Sequence, residues 1–302
     1  MKDTLSINPA NLPLAKLHGY LLAAVAPRPI AFASTIDSQG SVNLSPFSFF
    51  NAFSANPPIL IFSPARRGRD NSTKDTYDNV KQVAEVTINI VNHDMAEQMS
   101  LASTEYDKGI NEFIKAGLTP VESLCVKPPW VQESPVAFEC KVNDIIELGS
   151  DGGAGNLVIS EVLYVHLNKQ YLRQDDSLDP TKIDQIGRMG ENWYCRASGD
   201  AMFEIPKPLL SKGIGVDQLP ESIRNSDILT GNNLGRIGNV EKLPSGDNVQ
   251  RIAESEPMKS LLEANSKNSN ELKRQLHLKG KLLIERGNIH EALATLMIVD
   301  YL

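Results

Sequence analysis

Cysteine is scarce in this chain of 302 residues. Cys125, Cys140 and Cys195 stand far apart, in odd number and with no C-x-x-C pair, so neither a disulfide framework nor a zinc cage is expected and all three read as ordinary buried or half-buried thiols. A basic excess is absent as well. With 37 acidic against 30 basic side chains and a formal net charge of −7, no broad positive field is available to grip a phosphodiester backbone, and nucleic acid is excluded as a partner. No stretch approaches the roughly 20 apolar residues that span a bilayer. The nearest run, Tyr20 to Ala26, stops at Pro27, and the opening MKDTLSINPANLPL has no basic segment leading into an apolar one, so a cytoplasmic protein with no membrane association is expected. The five histidines (His18, His93, His166, His277 and His290) lack metal-ligand spacing, and His290-Glu291 lacks the second histidine of a zincin helix. No metal and no catalytic histidine are expected. No Gly-rich dinucleotide fingerprint precedes a helix, which leaves no separate nicotinamide-nucleotide domain.

What is present is a strand-rich region from about Pro29 to Leu167, in which short β-branched and aromatic runs alternate with turn signals, as in a barrel or sandwich. Period-two reading of Pro29 to Ile36 puts Ile30, Phe32 and Ile36 on one face and Ala31, Ala33 and Thr35 on the other, a small and partly polar face suited to a flat ligand. Asp37 to Gly40 reads as a turn. Pro58 to Ser63, Glu85 to Val91, Phe138 to Leu148 and Leu157 to His166 supply four more strands, the last apolar on both faces and therefore expected to be covered inside and out. Helices are expected from a cap at Ser72 or Thr73 to about Val83, from His93 to Ala102, and from about Asn111 to a C-cap at Gly117. Beyond about Pro206, Gly, Asn, Ser and Pro become frequent and strand periodicity is lost, the composition of an extended arm. Glu271 to Arg286 and Ile289 to Val299 then have helical spacing around a break at Gly287-Asn288, forming a hairpin with an apolar face to bury.

Two segments carry chemistry. Asn43-Leu-Ser-Pro-Phe-Ser-Phe-Phe-Asn51 is a turn-like run of hydroxyls, amides and aromatics, either a proline-containing loop with core phenylalanines or a surface that offers short donors to a planar ring. Ser63 to Thr76 places Arg66, Arg67, Arg69 and Lys74 on a loop that enters a helix. This is either a solvated basic cluster or a phosphate seat built on free N–H groups and the positive end of the helix dipole.

Pro27-Arg-Pro-Ile-Ala-Phe-Ala-Ser-Thr35, Asn43 to Asn51, Asn56-Pro-Pro58, Lys74-Asp-Thr76 with Asn79-Val80, Asn111-Glu-Phe113 with Ala116-Gly-Leu-Thr119, Glu139-Cys140, and Arg188-Met-Gly190 followed by Tyr194 together resemble the flavin reductase-like, flavoredoxin-type family, in the family's order and over roughly residues 15 to 200. The resemblance implies a mainly β fold with α insertions, an FMN-binding six-stranded split β-barrel in residues 1–205 that forms a homodimer, with 206–302 as an irregular and helical extension. It implies that Ser34, Thr35, Asn43, Ser45, Pro46, Phe47, Ser48 and Phe49 line the flavin. Ser63, Lys74, Asp75 and Thr76 would hold its phosphate together with an arginine from Arg66, Arg67 or Arg69, and Tyr194, with Arg188 beside it, would approach from beyond the barrel. The implied activity is electron transfer from NADH or NADPH, docked transiently, through FMN to a small-molecule or protein acceptor. Backbone N–H groups of Asn43 to Phe49 would face the charge that develops on the reduced ring. An FMN-bearing electron carrier without NAD(P)H activity, or a non-catalytic flavin-binding or interaction module, are the alternatives.

Overall fold

A computed structural model describes residues 3–205 and 212–301. The chain divides into two compact units, Met1–Phe203 and Glu204–Leu302. The expected boundary at 205/206 abuts residues 206–211, which lie outside the described residues.

Unit 1 opens with helix α1 (Leu14–Ala24) and continues through strands β1 (Ala31–Ile36), β2 (Val42–Phe47), β3 (Phe50–Ala55) and β4 (Pro58–Phe62). Helix α2 (Asp75–Gln82) leads to β5 (Glu85–Ile90), followed by α3 (Ala96–Leu101) and α4 (Glu112–Ala116). The short pair β6 (Pro120–Val121) and β7 (Trp130–Val131) precedes the long hairpin of β8 (Val136–Glu147) and β9 (Asn156–Leu167). Helix α5 (Pro180–Ile183) and a second short pair, β10 (Ile186–Arg188) and β11 (Tyr194–Arg196), complete the unit.

The main sheet runs β2-β1-β5-β8-β9-β4-β3, seven strands where six were expected. The additional strand is β3. The run Asn43 to Asn51 is thus mostly two strands, joined at Ser48-Phe49, because β2 and β3 lie at opposite edges of one sheet and the chain passes directly between them. So short a link requires the edges to approach, and the sheet curls into a barrel split along that seam. The Ser63 N–H donates to the Phe49 carbonyl (2.9 Å) and pins the seam to the end of β4.

Strand β1 separates two cores. Ile30 and Phe32 pack with Leu44, Met95, Met99 and Phe113 under α3 and α4. Ala31 and Ala33 face the barrel interior with Phe47, Phe62, Val86, Ile88 and Val158. The alternation is as read from the sequence, and the small face turns Ala31 and Ala33, fully buried, into the barrel interior. Its side chains are small because the barrel interior is narrow and already filled by Phe47 and Phe62, whose rings lie 5.6 Å apart. Strand β9 also departs from expectation. Its first half is covered, whereas Leu163, Tyr164, Val165 and Leu167 near its end are exposed in this chain.

Two helix starts in unit 1 differ in how they are capped. Asn111 accepts from the Phe113 N–H (3.0 Å) to begin α4, which ends at Gly117 with φ +64°. The N-cap of α2 is Lys74, with no side-chain cap bond, and not Ser72 or Thr73, whose hydroxyls bond to Asp70 and Asp78.

The regular secondary structure described in unit 2 is all helical: α6 (Glu221–Arg224), α7 (Gly231–Ile237), α8 (Gly246–Ala253), α9 (Glu256–Ala264), α10 (Ser269–Glu285) and α11 (Ile289–Tyr301). The stretch expected to be an extended arm therefore folds. Its polar residues are caps: Thr230 and Asn233 form a capping box, Ser245 accepts from the Asn248 N–H, and Asn268 accepts from the Glu271 N–H. Cap and linker draw on the same residue types, so composition alone does not separate them. The expected hairpin is α10 and α11, and the apolar face it buries against belongs to α6–α9, with Ile223, Ile237, Val249 and Met258 in a common core with Leu276, Ile284, Leu293 and Leu296.

At Gly280 the two long helices approach so closely that an added Cβ would lie 2.6 Å from Leu296 Cγ and Cδ2. In Gly280→Ala, overpacking of about 1–3 kcal/mol outweighs the gain of about 1 kcal/mol in helix propensity. Urea unfolding should show a net loss on the order of 1 kcal/mol; a gain in stability would show that the helix pair adjusts freely.

Candidate functional site

The loop after β4 is built around arginines with different duties. Arg66 is committed to the loop itself, donating from Nε to Asn71 Oδ1 (2.7 Å) and from a terminal nitrogen to the Asn71 carbonyl (2.8 Å), where Asn71 adopts φ +59°. Arg67 is tied to the loop as well, through Ser72 Oγ (3.1 Å) and the Thr73 carbonyl, and together with Arg69 and Lys74 it converges on one carboxylate. Glu105 accepts from Arg67 Nε (2.9 Å) and Lys74 Nζ (3.0 Å) at Oε1, and from Arg69 (2.5 Å) at Oε2. The hydrogen bonds from Arg67 and then Lys74 hold the Glu105 carboxyl at a pKa of about 2. Three cations close on Glu105, with Asp70 also paired to Arg69 (3.1 Å), and form a cradle with the donor set that a phosphate requires. Glu105 lies 31 and 38 residues from its partners Lys74 and Arg67, and no local pattern could have pointed to it.

The first turns of α2 are tied to the barrel. Asn43 Nδ2 donates to Thr76 Oγ1 (2.9 Å), and Asn79 Nδ2 donates to Thr35 Oγ1 (3.2 Å). The helix entrance and strands β1 and β2 therefore move as one piece. Asp75, the first residue of α2, lies close enough to Glu112 to act with burial in raising the pKa of that carboxyl, while Glu112 accepts the Leu44 N–H (2.9 Å).

That last bond decides which backbone donors β2 can offer. If the Leu44 N–H points away from β1, ladder alternation turns the N–H groups of Asn43, Ser45 and Phe47 toward β1, and Pro46 has none. The expected row of donors from Asn43 to Phe49 thus contracts to the Ser48-Phe49 link.

The remaining site residues fall around this link. Ser34 and Thr35 are fully buried, and Ser34 Oγ has no hydrogen-bond partner; neither presents a side chain to solvent in this chain. Phe47 is core, Ser45 and Pro46 are half-buried, and Phe49 is partly exposed, edge-on to His18 with ring centroids 6.4 Å apart. Ser63 Oγ accepts the Asn156 N–H (3.0 Å). Tyr194 is reached through Arg28, which donates from Nε to Ser48 Oγ (3.2 Å) and from a terminal nitrogen to the Met189 carbonyl (2.9 Å). The Arg188 guanidinium covers the Tyr194 ring at 4.6 Å, and Tyr194 lines a cavity of about 770 Å³ with Tyr20, Ala23, Met189, Gly190 and Trp193. Arg28 was legible only as part of a motif, although an arginine between two prolines ahead of an apolar strand is itself a signal.

One cysteine departs from expectation. Cys125 is exposed rather than buried, while Cys140 is buried and its thiol pKa is pushed far up by that burial. His93 lies with Asp94 and Asp184 such that their ligand atoms are within 4.8 Å of one another, but Asp184 already takes two bonds from Arg196 (2.7 and 2.5 Å). Among the described residues, no helix is long and apolar enough to cross a membrane.

Residues 23–180 match the family model described as the flavin reductase like domain. A protein of Aquifex aeolicus with no characterized function is 35% identical over 189 residues, 63% of this chain and 94% of the relative. Nitrilotriacetate monooxygenase component B from Bacillus cereus superposes with a TM-score of 0.63 at 27% identity, covering 68% of this chain and all of that one. A split-barrel protein from Shewanella frigidimarina has a TM-score of 0.55 at 27% identity, covering 66% of this chain and 95% of that one.

Proposed function

This chain belongs to the flavin reductase like family, with the flavin-related redox function that this carries, and from that premise we propose that it holds FMN and passes electrons from NADH or NADPH to an acceptor. The observation that carries the reading is the convergence of Arg67, Arg69 and Lys74 on one carboxylate, at a helix entrance bonded to the strands that lead into the Ser48-Phe49 link. A phosphate could take the position of the Glu105 carboxylate among these cations, and the planar ring would extend toward Ser45, Ser48 and Phe49.

When bound, FMN supplies the capacity to accept a hydride and release electrons. The residues of this chain orient and bind. Arg67 and Lys74 neutralise the phosphate, Thr76 and Asn43 hold the helix entrance against β2, and Phe49 and Tyr194 offer aromatic surface to planar groups. With no dinucleotide fingerprint in the sequence, the nicotinamide donor docks and leaves.

A homodimer is part of the proposal, supported by the exposed apolar end of β9 at Leu163, Tyr164, Val165 and Leu167, a surface that a second copy would cover. A cytoplasmic setting is supported by three cysteines that form no disulfide.

The test is an absorption spectrum of the protein titrated with FMN, followed by anaerobic NADH. Saturable binding and bleaching of the flavin band on NADH addition are expected. Binding without bleaching by NADH or NADPH would assign a carrier instead, and no binding would remove the flavin reading altogether.

A further inference from the structure

Arg28 is 5% exposed, and its guanidinium is bonded on every side by neutral groups. One terminal nitrogen donates to the Leu22 (2.5 Å) and Val25 (2.7 Å) carbonyls, at the C-terminal end of α1. The other donates to the Met189 carbonyl (2.9 Å), between β10 and β11, and Nε donates to Ser48 Oγ (3.2 Å) in the link between β2 and β3. The backbone joins in: Arg28 N–H donates to the Arg188 carbonyl (3.0 Å), and Arg188 N–H to the Arg28 carbonyl (2.8 Å). One residue thus fastens α1, β10 and the seam of the barrel.

Its charge is a separate matter. A buried cation is normally paired with a carboxylate, since desolvation is otherwise expensive. Among the described residues, no carboxylate bonds to Arg28 or to Arg188, whose own side chain donates to the Trp193 carbonyl (3.1 Å) and covers the Tyr194 ring. The negative end of the α1 dipole compensates part of the Arg28 charge. Burial, and then repulsion from Arg188, pull the Arg28 pKa below its ordinary value. Two guanidiniums with no acidic partner therefore stand behind Ser48 and Tyr194.

We propose that Arg28 is the positioning residue of the flavin site, setting the Ser48-Phe49 link by its hydrogen bonds and favouring the reduced, anionic ring over the oxidised, neutral one by its unpaired charge. This rests on the FMN reading above. The electron count explains why the charge matters. When a hydride leaves the dihydronicotinamide carbon and forms an N–H bond on the ring, the donor is oxidised to the pyridinium. The ring, having gained two electrons and one proton, carries one added negative charge. A cation held in a low-dielectric setting lowers the free energy of that product more than that of the oxidised ring.

The measurement is the two-electron midpoint potential of FMN bound to the full chain, alongside the affinity for oxidised FMN. In the unsubstituted protein the bound potential should lie above that of free FMN, because reduced flavin binds more tightly. Arg28→Gln should weaken binding of reduced FMN about tenfold more than that of oxidised FMN, which is a fall of about 30 mV for a two-electron couple. Arg28→Lys should keep most of the potential, retaining the charge, while losing affinity for both forms through the broken clamp. A bound potential below that of free FMN in the unsubstituted protein overturns the inference without any variant. An Arg28→Gln protein that binds FMN at the unshifted potential also overturns it. If the unsubstituted protein binds no FMN, the functional reading fails and takes this one with it; FMN bound at a lowered potential removes this one alone.

Discussion

Replacing Glu139 by alanine should destabilise unit 1 by about 3–5 kcal/mol, the usual cost of removing one partner from a buried charged network. Glu139 is fully buried on β8 and accepts three bonds: the Leu124 N–H (2.7 Å), the Cys125 N–H (2.6 Å) and His166 Nε2 (2.7 Å). Alanine would leave two backbone donors and an imidazole without a partner, in a site where His166 is also stacked on Trp130 at 4.7 Å. The midpoint of thermal unfolding should fall by on the order of 10 °C. Burial acts to raise the Glu139 pKa, but the Leu124 N–H, His166 and the Cys125 N–H outweigh it, and the net shift is downward from 4.5. A carboxyl with a lowered folded-state pKa contributes its stability above the unfolded value and loses it as pH falls from about 4.5 toward the folded value. Glu139→Gln should therefore flatten the acid side of the stability profile. Unchanged thermal unfolding in Glu139→Ala would mean that water satisfies these donors and the network holds nothing together.

The second large effect concerns ligand affinity. Lys74→Glu combined with Arg67→Glu should abolish measurable FMN binding, since each charge-assisted contact is worth about 1.5–3 kcal/mol, roughly 10- to 100-fold. The opposite change, Glu105→Gln, should tighten FMN by removing the group that competes for the same cations. With its pKa near 2, Glu105 is still an anion at pH 4, so mild acid does not mimic that substitution. Folding should hardly register Glu105→Gln, because partly exposed ion pairs contribute about 0–1 kcal/mol, whereas the double reversal also removes the Arg67 bonds to Ser72 and Thr73 and is checked for folding by circular dichroism. Isothermal titration with FMN, with inorganic phosphate as a smaller probe, reads the affinities directly. A folded double-glutamate variant with undiminished FMN affinity would relocate the phosphate to another part of the surface.

Much of unit 1 was legible because its signals are local. The alternation in Ala31 to Ile36 and the long runs of β8 and β9 mark strands, and Asn111 and Gly117 bracket a helix by capping chemistry that a single sequence displays. The strand character of Asn43 to Asn51 was hidden because its proline, serines and amides are turn residues in most settings. Here Pro46 sits at an edge position that needs no N–H, a fact set by the strand order and not by any neighbour in sequence. The partners that shape the candidate site are long-range for the same reason. Glu105 meets Lys74, Glu112 meets Leu44, and Arg28 meets Met189 across intervals with no periodicity to betray them. In unit 2 the helices of the hairpin were visible from apolar spacing, whereas the four shorter ones were concealed by cap residues that composition assigns to linkers.

The two-residue passage from β2 to β3 leaves no slack between the ends of the sheet. Lengthening it with flexible residues would let the cylinder spring open and bare two ribbons of unsatisfied amide and carbonyl groups. Such ribbons recruit strands from other molecules, so the brevity of Ser48-Phe49 guards the chain against aggregation as well as shaping what lies beside it.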